Sequence, residues 1–290
     1  MRTKDEPIAE IREIHHQISQ EFNTDPVSQP TANHPSGLYV RTLGQGTDLV
    51  LVHGWGMHSG IWENVIEALV DDYRVTYLDL PGYGYSRSAA NSHSLESLSR
   101  TIAAVAPPQA VWIGWSLGGM IAQRLAIDAP ERVAKLVLVS SSPCFVRRPD
   151  WPHALDYRLL HAFAENLSRD YRATLKRFLA LELHGSEHEV ALLRQLRELV
   201  FQHGEPDTAA LRAGLTLLET VDLRGELGRI VCPALLLLGR RDNLVPVAAG
   251  EATCGLLPNA RLHVFEGAAH APFFSHLSEF ISHLRAFVDD

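Results

Sequence analysis

A serine set between glycines is the first place in this chain where chemistry can be located. Gly114-Trp115-Ser116-Leu117-Gly118, followed by Gly119, fits the pattern G-x-S-x-G. The apolar run Ala110-Val111-Trp112-Ile113 precedes it and a helical segment, Met120 to Ala129, follows it. The serine therefore falls at a sharp strand-to-helix turn that exposes its hydroxyl, where neighbouring side chains would collide and glycine is needed. That arrangement points to nucleophilic attack on an acyl carbon, with Ser116 as the nucleophile. Attack creates a negative oxygen, which two backbone N–H groups must receive. Leu117, next to the nucleophile, supplies one. The loop His53-Gly54-Trp55-Gly56 follows an earlier apolar run and offers the N–H of Trp55 as the second.

A serine needs a base, and fifteen histidines compete for the role. In sites built on this elbow the acid and then the histidine follow the serine along the chain. His270 lies in Gly267-Ala268-Ala269-His270-Ala271-Pro272, among small residues that allow close approach. His263, inside the preceding apolar run, and His276, at the start of the last helix, are the weaker rivals. Asp242, just beyond the run Ala234 to Leu238, is the expected acid. Asp79 precedes the serine and reads as a support for Leu80-Pro81-Gly82, and Asp222 is the second choice. In this reading His270 takes the proton from Ser116, and Asp242 orients and stabilises the imidazolium.

These side chains need a frame. Leu49 to Val52, Arg74 to Leu78, Ala110 to Ile113, Lys135 to Ser140, Ala234 to Leu238 and Ala260 to Phe265 are short apolar runs separated by helical segments. That predicts an α/β fold whose mostly parallel sheet is covered by helices on both faces, with the loops after the strands gathered on one ligand edge. The alternation stops between about Cys144 and Asp222, where periodicity predicts roughly four helices. We expect a core of residues 37–143 and 223–290, with 144–222 inserted as a helical cap. Ile8, Ile11, Ile14, Ile18 and Phe22 recur at helical spacing, and Thr24 to Ser36 is rich in Pro, Ser and Asn. Residues 1–36 are thus expected to be a helical extension and linker.

Composition narrows the partners. The chain has 290 residues and a formal charge of -8, which disfavours nucleic acid as a general partner. Three cysteines without CxxC spacing suggest reduced thiols, neither a disulfide scaffold nor a zinc knuckle. The first residues lack an apolar signal core, and no stretch approaches the roughly 18 apolar residues needed to span a membrane. The expectation is a cytoplasmic monomer without metal or cofactor. His184-Gly185-Ser186-Glu187-His188 spells an inverted zinc-protease pattern, but Gly185-Ser186 reads as a break between helices, with Ser186 as an N-cap. Gly82-Tyr83-Gly84 lacks the third glycine of a dinucleotide site.

Together the quoted stretches resemble the α/β-hydrolase fold family. With Ser141-Ser142-Pro143-Cys144-Phe145, Arg177-Phe178-Leu179-Ala180-Leu181, Thr220-Val221-Asp222-Leu223-Arg224 and Ala268 to Phe273, they resemble more narrowly the pimeloyl-(acyl-carrier protein) methyl ester esterases of biotin synthesis. The resemblance runs from about Leu38 to the C-terminus. It implies a serine carboxylesterase with the triad Ser116, Asp242 and His270, oxyanion donors Trp55 and Leu117, and Phe178 lining an acyl channel that the Trp55 side chain also walls. Plain core packing is the competing reading for both aromatics. The resemblance also implies a carrier-protein partner docking on cap arginines. Arg169, Arg172 and Lys176 fall at i, i+3 and i+7, a spacing that puts them on one helix face, with Arg177 adjacent. From Arg147 to Arg177 seven basic residues face four acidic ones. That local excess suits an acidic partner, although a solvated helix face reads the same way. A general carboxylesterase or lactonase on small free esters, and a hydrolase-fold binding protein with little turnover, are the other readings the triad leaves open.

Overall fold

The computed structural model describes residues 34–89 and 94–290. The expected amphipathic helix from Ile8 to Phe22, and most of the linker after it, lie outside the described residues. Among the described residues seven strands form one sheet: β1 (Val40–Leu43), β2 (Thr47–Val52), β3 (Tyr73–Leu78), β4 (Ala110–Trp115), β5 (Val133–Val139), β6 (Ala234–Gly239) and β7 (Ala260–Phe265), in the order β1-β3-β2-β4-β5-β6-β7. All neighbours are parallel except β1, which pairs antiparallel with β3 from Val40 opposite Leu78 to Leu43 opposite Val75. The sequence reading did not contain β1. Its four residues lie at the sheet edge, none of them buried, so no apolar run marks them.

The six parallel strands match the six apolar runs because both faces of the sheet are covered. Along β2, Val50 and Val52 point into one core cluster while Leu49 and Leu51 point into the other. Burying one such side chain contributes roughly 1.5–3 kcal/mol, whereas an exposed pair such as Arg74–Asp48 adds at most about 1 kcal/mol. The sheet is therefore held by its two apolar faces. Helices α1 (Glu63–Leu69), α2 (Leu95–Val105) and α3 (Leu117–Asp128) alternate with β2 to β5. After β6 come α8 (Val247–Leu256), α9 (Pro272–Ser275) and α10 (Leu277–Asp289). Parallel pairing places the loops after β2, β3, β4, β6 and β7 on one edge.

Between β5 and β6 stand α4 (Tyr157–Leu167), α5 (Tyr171–Leu183), α6 (Glu189–Leu199) and α7 (Thr208–Thr220). Asp156, Asp170 and Asp207 cap α4, α5 and α7 by accepting backbone N–H bonds in the first turn. Two expectations change here. Asp170 caps α5, so Arg169 precedes the helix and does not share a face with Arg172 and Lys176. The break after α5 is present, but Ser186 does not cap α6. His188 takes that position at φ 59 with no side-chain cap, while Ser186 lies two residues before it in the turn, its carbonyl accepting the Glu189 N–H. His184 and His188 flank the break and share no helix.

Candidate active site

The elbow is strained and tightly enclosed. Ser116 sits at φ 54 and ψ −117, a conformation that costs a non-glycine residue about 1–3 kcal/mol. Its surroundings hold it there: the Ser116 N–H donates to the Val139 carbonyl at 2.9 Å, and the Ser141 hydroxyl donates to the Ser116 carbonyl at 2.7 Å. Two glycines are sterically required. A Cβ at Gly114 would lie 2.5 Å from the Gly118 carbonyl oxygen, and one at Gly118 would lie 2.4 Å from that of Val52.

The sheet order brings the loop after β2 against the elbow, since β2 and β4 are neighbours. A Cβ at Gly54 would stand 3.2 Å from the Cβ of Ser116, so the Trp55 loop passes directly beside the nucleophile. His53 fixes that loop. Its Nε2 accepts the Leu80 N–H at 2.9 Å and its Nδ1 pairs with the Gly54 carbonyl at 2.8 Å. Burial lowers its pKa to about 4, so it is neutral at pH 7 and fits both contacts. Leu117 opens α3, where its N–H has no acceptor within the helix. The two expected oxyanion donors thus lie at the first residue of α3 and on the loop after β2, which meet beside Ser116.

Asp242 and His270 are brought together by the loops after β6 and β7. His270 Nδ1 lies 2.8 Å from Asp242 Oδ2, and both side chains are fully buried. Asp242 Oδ1 accepts the N–H groups of Leu244 and Val245 at 2.8 and 2.9 Å, so the carboxylate is held on both oxygens. Among the described residues the buried His270 Nε2 has no hydrogen-bond partner, which leaves that nitrogen available as a proton acceptor. The rivals are occupied elsewhere. His263 pairs with Glu279, His276 with Ser275, and Asp222 with Arg224.

Sequence reasoning missed two residues that position the histidine. Trp115 Nε1 donates to the His270 carbonyl at 2.8 Å, and the His270 N–H donates to the Glu182 carbonyl at 2.9 Å. Glu182, near the end of α5, is itself fully buried with both carboxyl oxygens unpartnered. Burial, and then the charge of Asp242, push its pKa well above the usual carboxylate range. Its signal in the sequence is only a glutamate inside an apolar stretch.

Trp55 and Phe178 meet edge to face at 4.6 Å and both are buried. Trp55 Nε1 donates to the Leu211 carbonyl of α7 at 2.8 Å, and Phe178 lies on α5. α5 and α7 therefore pack on the Trp55 side chain beside the elbow, and Ser116 is only 1% exposed. The basic residues are less uniform than their spacing suggests. Arg172 is paired with Glu205 and lies over the Phe201 ring at 4.9 Å. Arg169, Lys176 and Arg177 are exposed and form no ion pair among the described residues.

A second Asp–His pair lies on the same edge. Asp79, after β3, accepts the Ser59 N–H and hydroxyl on Oδ1 and the Tyr85 N–H on Oδ2. His203 Nδ1 lies 3.1 Å from that same Oδ2. Burial alone would raise the Asp79 pKa, but the hydrogen bond and charge of His203 outweigh it and hold the carboxyl down at about 2. His203 is stacked between His58 and Tyr85, at 3.9 and 4.1 Å. His58, Asp79 and His203 could in principle ligate a metal, but His58 accepts the Gly60 N–H on Nδ1 and contacts the Leu199 carbonyl through Nε2, so its nitrogens are committed. Among the described residues His263, Glu279 and His283 form the other possible metal-binding group.

The chain matches a family described as the alpha/beta hydrolase fold over residues 48–277. A protein of Nitrosomonas europaea named pimeloyl-[acyl-carrier protein] methyl ester esterase is 46% identical over 85% of this chain and 98% of its own length. One of the same name from Aeromonas hydrophila is 44% identical over 86% and 98%. Among solved structures, an esterase from Exiguobacterium antarcticum superposes with a TM-score of 0.80 at 25% identity, over 87% of this chain and 96% of that one. A bromoperoxidase from Bacillus anthracis gives 0.81 at 23% identity, over 87% and 95%. At that identity the likeness shows the fold alone, and one fold carries many reactions. Among the described residues no helix is long and apolar enough to cross a membrane.

Proposed function

The chain belongs to the alpha/beta hydrolase fold family and, within it, to the pimeloyl-[acyl-carrier protein] methyl ester esterases, and from that premise we propose that it hydrolyses the methyl ester of pimeloyl-acyl-carrier protein in biotin synthesis. Ser116 Oγ attacks the ester carbonyl while His270 Nε2 takes its proton. The oxyanion is received by the N–H groups of Trp55 and Leu117. Collapse of the tetrahedral adduct breaks the bond to the methoxy oxygen, which leaves as methanol with the proton from His270. Water, deprotonated by His270, then releases the free pimeloyl carboxylate and restores Ser116. Asp242 stabilises the imidazolium in both halves. The near full-length match to relatives of that name carries this reading.

The finer assignments rest on the same reading. Residues 144–222 act as the cap, with Phe178 and Trp55 forming the wall against which the acyl chain lies. The carrier protein docks on the cap through Arg169, Arg172, Lys176 and Arg177. Arg172 is already neutralised by Glu205, so Lys176 and Arg177 contribute most. The enzyme acts in the cytoplasm, as a monomer. Growth rescue of a biotin-requiring strain lacking its own esterase tests the proposal. The wild-type chain restores growth and Ser116→Ala does not. Ser116→Ala also lowers kcat on a chromogenic short-chain ester by about 10⁴-fold or more while leaving the fold intact. Failure of rescue by a folded wild-type chain that still cleaves free esters would reduce the function to that of a general esterase.

A further inference from the structure

We propose that His263, Glu279 and His283 bind a divalent transition-metal cation, for which zinc is the best match, at a site outside the catalytic centre. His263 projects from β7. Glu279 and His283 are one turn apart on α10, at i and i+4, so they share a helix face. The three ligand atoms lie within 4.8 Å of one another. His263 Nε2 is 2.9 Å from Glu279 Oε1, and the rings of His263 and His283 stack at 3.5 Å. Among the described residues His283 has no hydrogen-bond partner, so its nitrogens are uncommitted. This contrasts with the committed nitrogens of His58. Two imidazoles and one carboxylate form a common zinc donor set, with water completing the shell. Bonds of about 2.0–2.1 Å require donor atoms about 3.3 Å apart, so binding would unstack the two imidazoles and swing them apart until their in-plane lone pairs converge on the ion. All three residues are at least partly exposed, so an ion can enter and a water ligand has room.

The site's position gives it a consequence. His263 and Glu279 are separated by 16 residues, and His270 lies between them. A metal joining the two would clip together the ends of the segment that carries the proposed base. It would act on stability and on the order of that loop, without touching the reaction.

The test uses the full chain, stripped with chelator and titrated with Zn²⁺ by calorimetry, then with Co²⁺ by visible absorption. The expected result is one ion per chain, a raised Tm and the colour of a low-coordinate cobalt site. His283→Leu and His263→Gln should each weaken binding by more than the 10–100-fold typical of losing an outer-shell partner, while metal-free esterase activity is unchanged. Glu279→Gln provides a third variant should either fold poorly. Absence of stoichiometric binding, or equal binding by the folded variants, would overturn the site.

Discussion

Two buried aspartates in this molecule each pair with a histidine through Nδ1, and the two pairs serve opposite ends. Asp242 and His270 are 2.8 Å apart, and Asp79 and His203 are 3.1 Å apart. Both aspartates follow a parallel strand, and both accept backbone N–H bonds that hold the carboxylate still. The difference lies at the far nitrogen. His270 Nε2 is buried, unpartnered and set on the edge where the strained Ser116 elbow lies. His203 is stacked between two rings, where it joins the loop after α6 to the loop after β3. An Asp–His pair is therefore not by itself a catalytic device. In the proposed reaction it becomes one because the second nitrogen is left without a competing partner on the edge that carries Ser116.

Exchanging the two aspartates tests this contrast most strongly. Asp242→Asn should lower kcat by about 10⁴-fold, measured on a free ester, because the wrong tautomer of His270 is then favoured. Asp79→Asn should leave kcat within about tenfold but lose roughly 2–4 kcal/mol of stability in urea, as one charged acceptor serves Ser59, Tyr85 and His203. The acid limb sharpens that result. The folded-state Asp79 pKa of about 2 lies below an unfolded value of about 3.9, so its contribution is complete above pH ~4 and lost as pH falls through 2. The stability gap between wild type and Asp79→Asn should narrow over that window.

Glu182→Gln probes the neighbourhood of the first pair. The folded-state pKa of Glu182 is raised, so wild-type stability declines as pH rises above about 4.3, the unfolded value. The glutamine variant carries no such proton and should gain Tm relative to wild type at pH 8 over pH 5. No pH-dependent gain would mean that the carboxyl is not held neutral. The smallest effect belongs to His203→Gln, about 0.5–1.5 kcal/mol with kcat unchanged, since Asp79 keeps its Ser59 and Tyr85 donors.

The residues that sequence reasoning placed together are those marked by backbone geometry. The glycines around Ser116, the small residues around His270 and the turn after β6 leave signatures because only certain residues tolerate those shapes. What was not legible depends on contacts distant in the chain. Arg172 and Glu205 are 33 residues apart, so no spacing rule shows that this charge is already answered. Arg169 falls outside the helix because Asp170 is its cap and the first helical residue is Tyr171, two residues beyond the position that the charge spacing uses. Glu182 looks like a surface residue until α5 is packed against the loop after β7. Asp79 was read as a loop support, and its three local donors fit that role; its histidine partner, 124 residues away, was invisible.

The hydrogen bond from the His270 N–H to the Glu182 carbonyl has a mechanical consequence. Ser116 is only 1% exposed, so in the proposed reaction substrate would reach it through a shift of the inserted helices. Lifting the C-terminal end of α5 would leave the amide of His270, the proposed base, without its acceptor. A shift that pivots near Glu182 would keep that hydrogen bond, whereas one hinged at the start of α5 would break it.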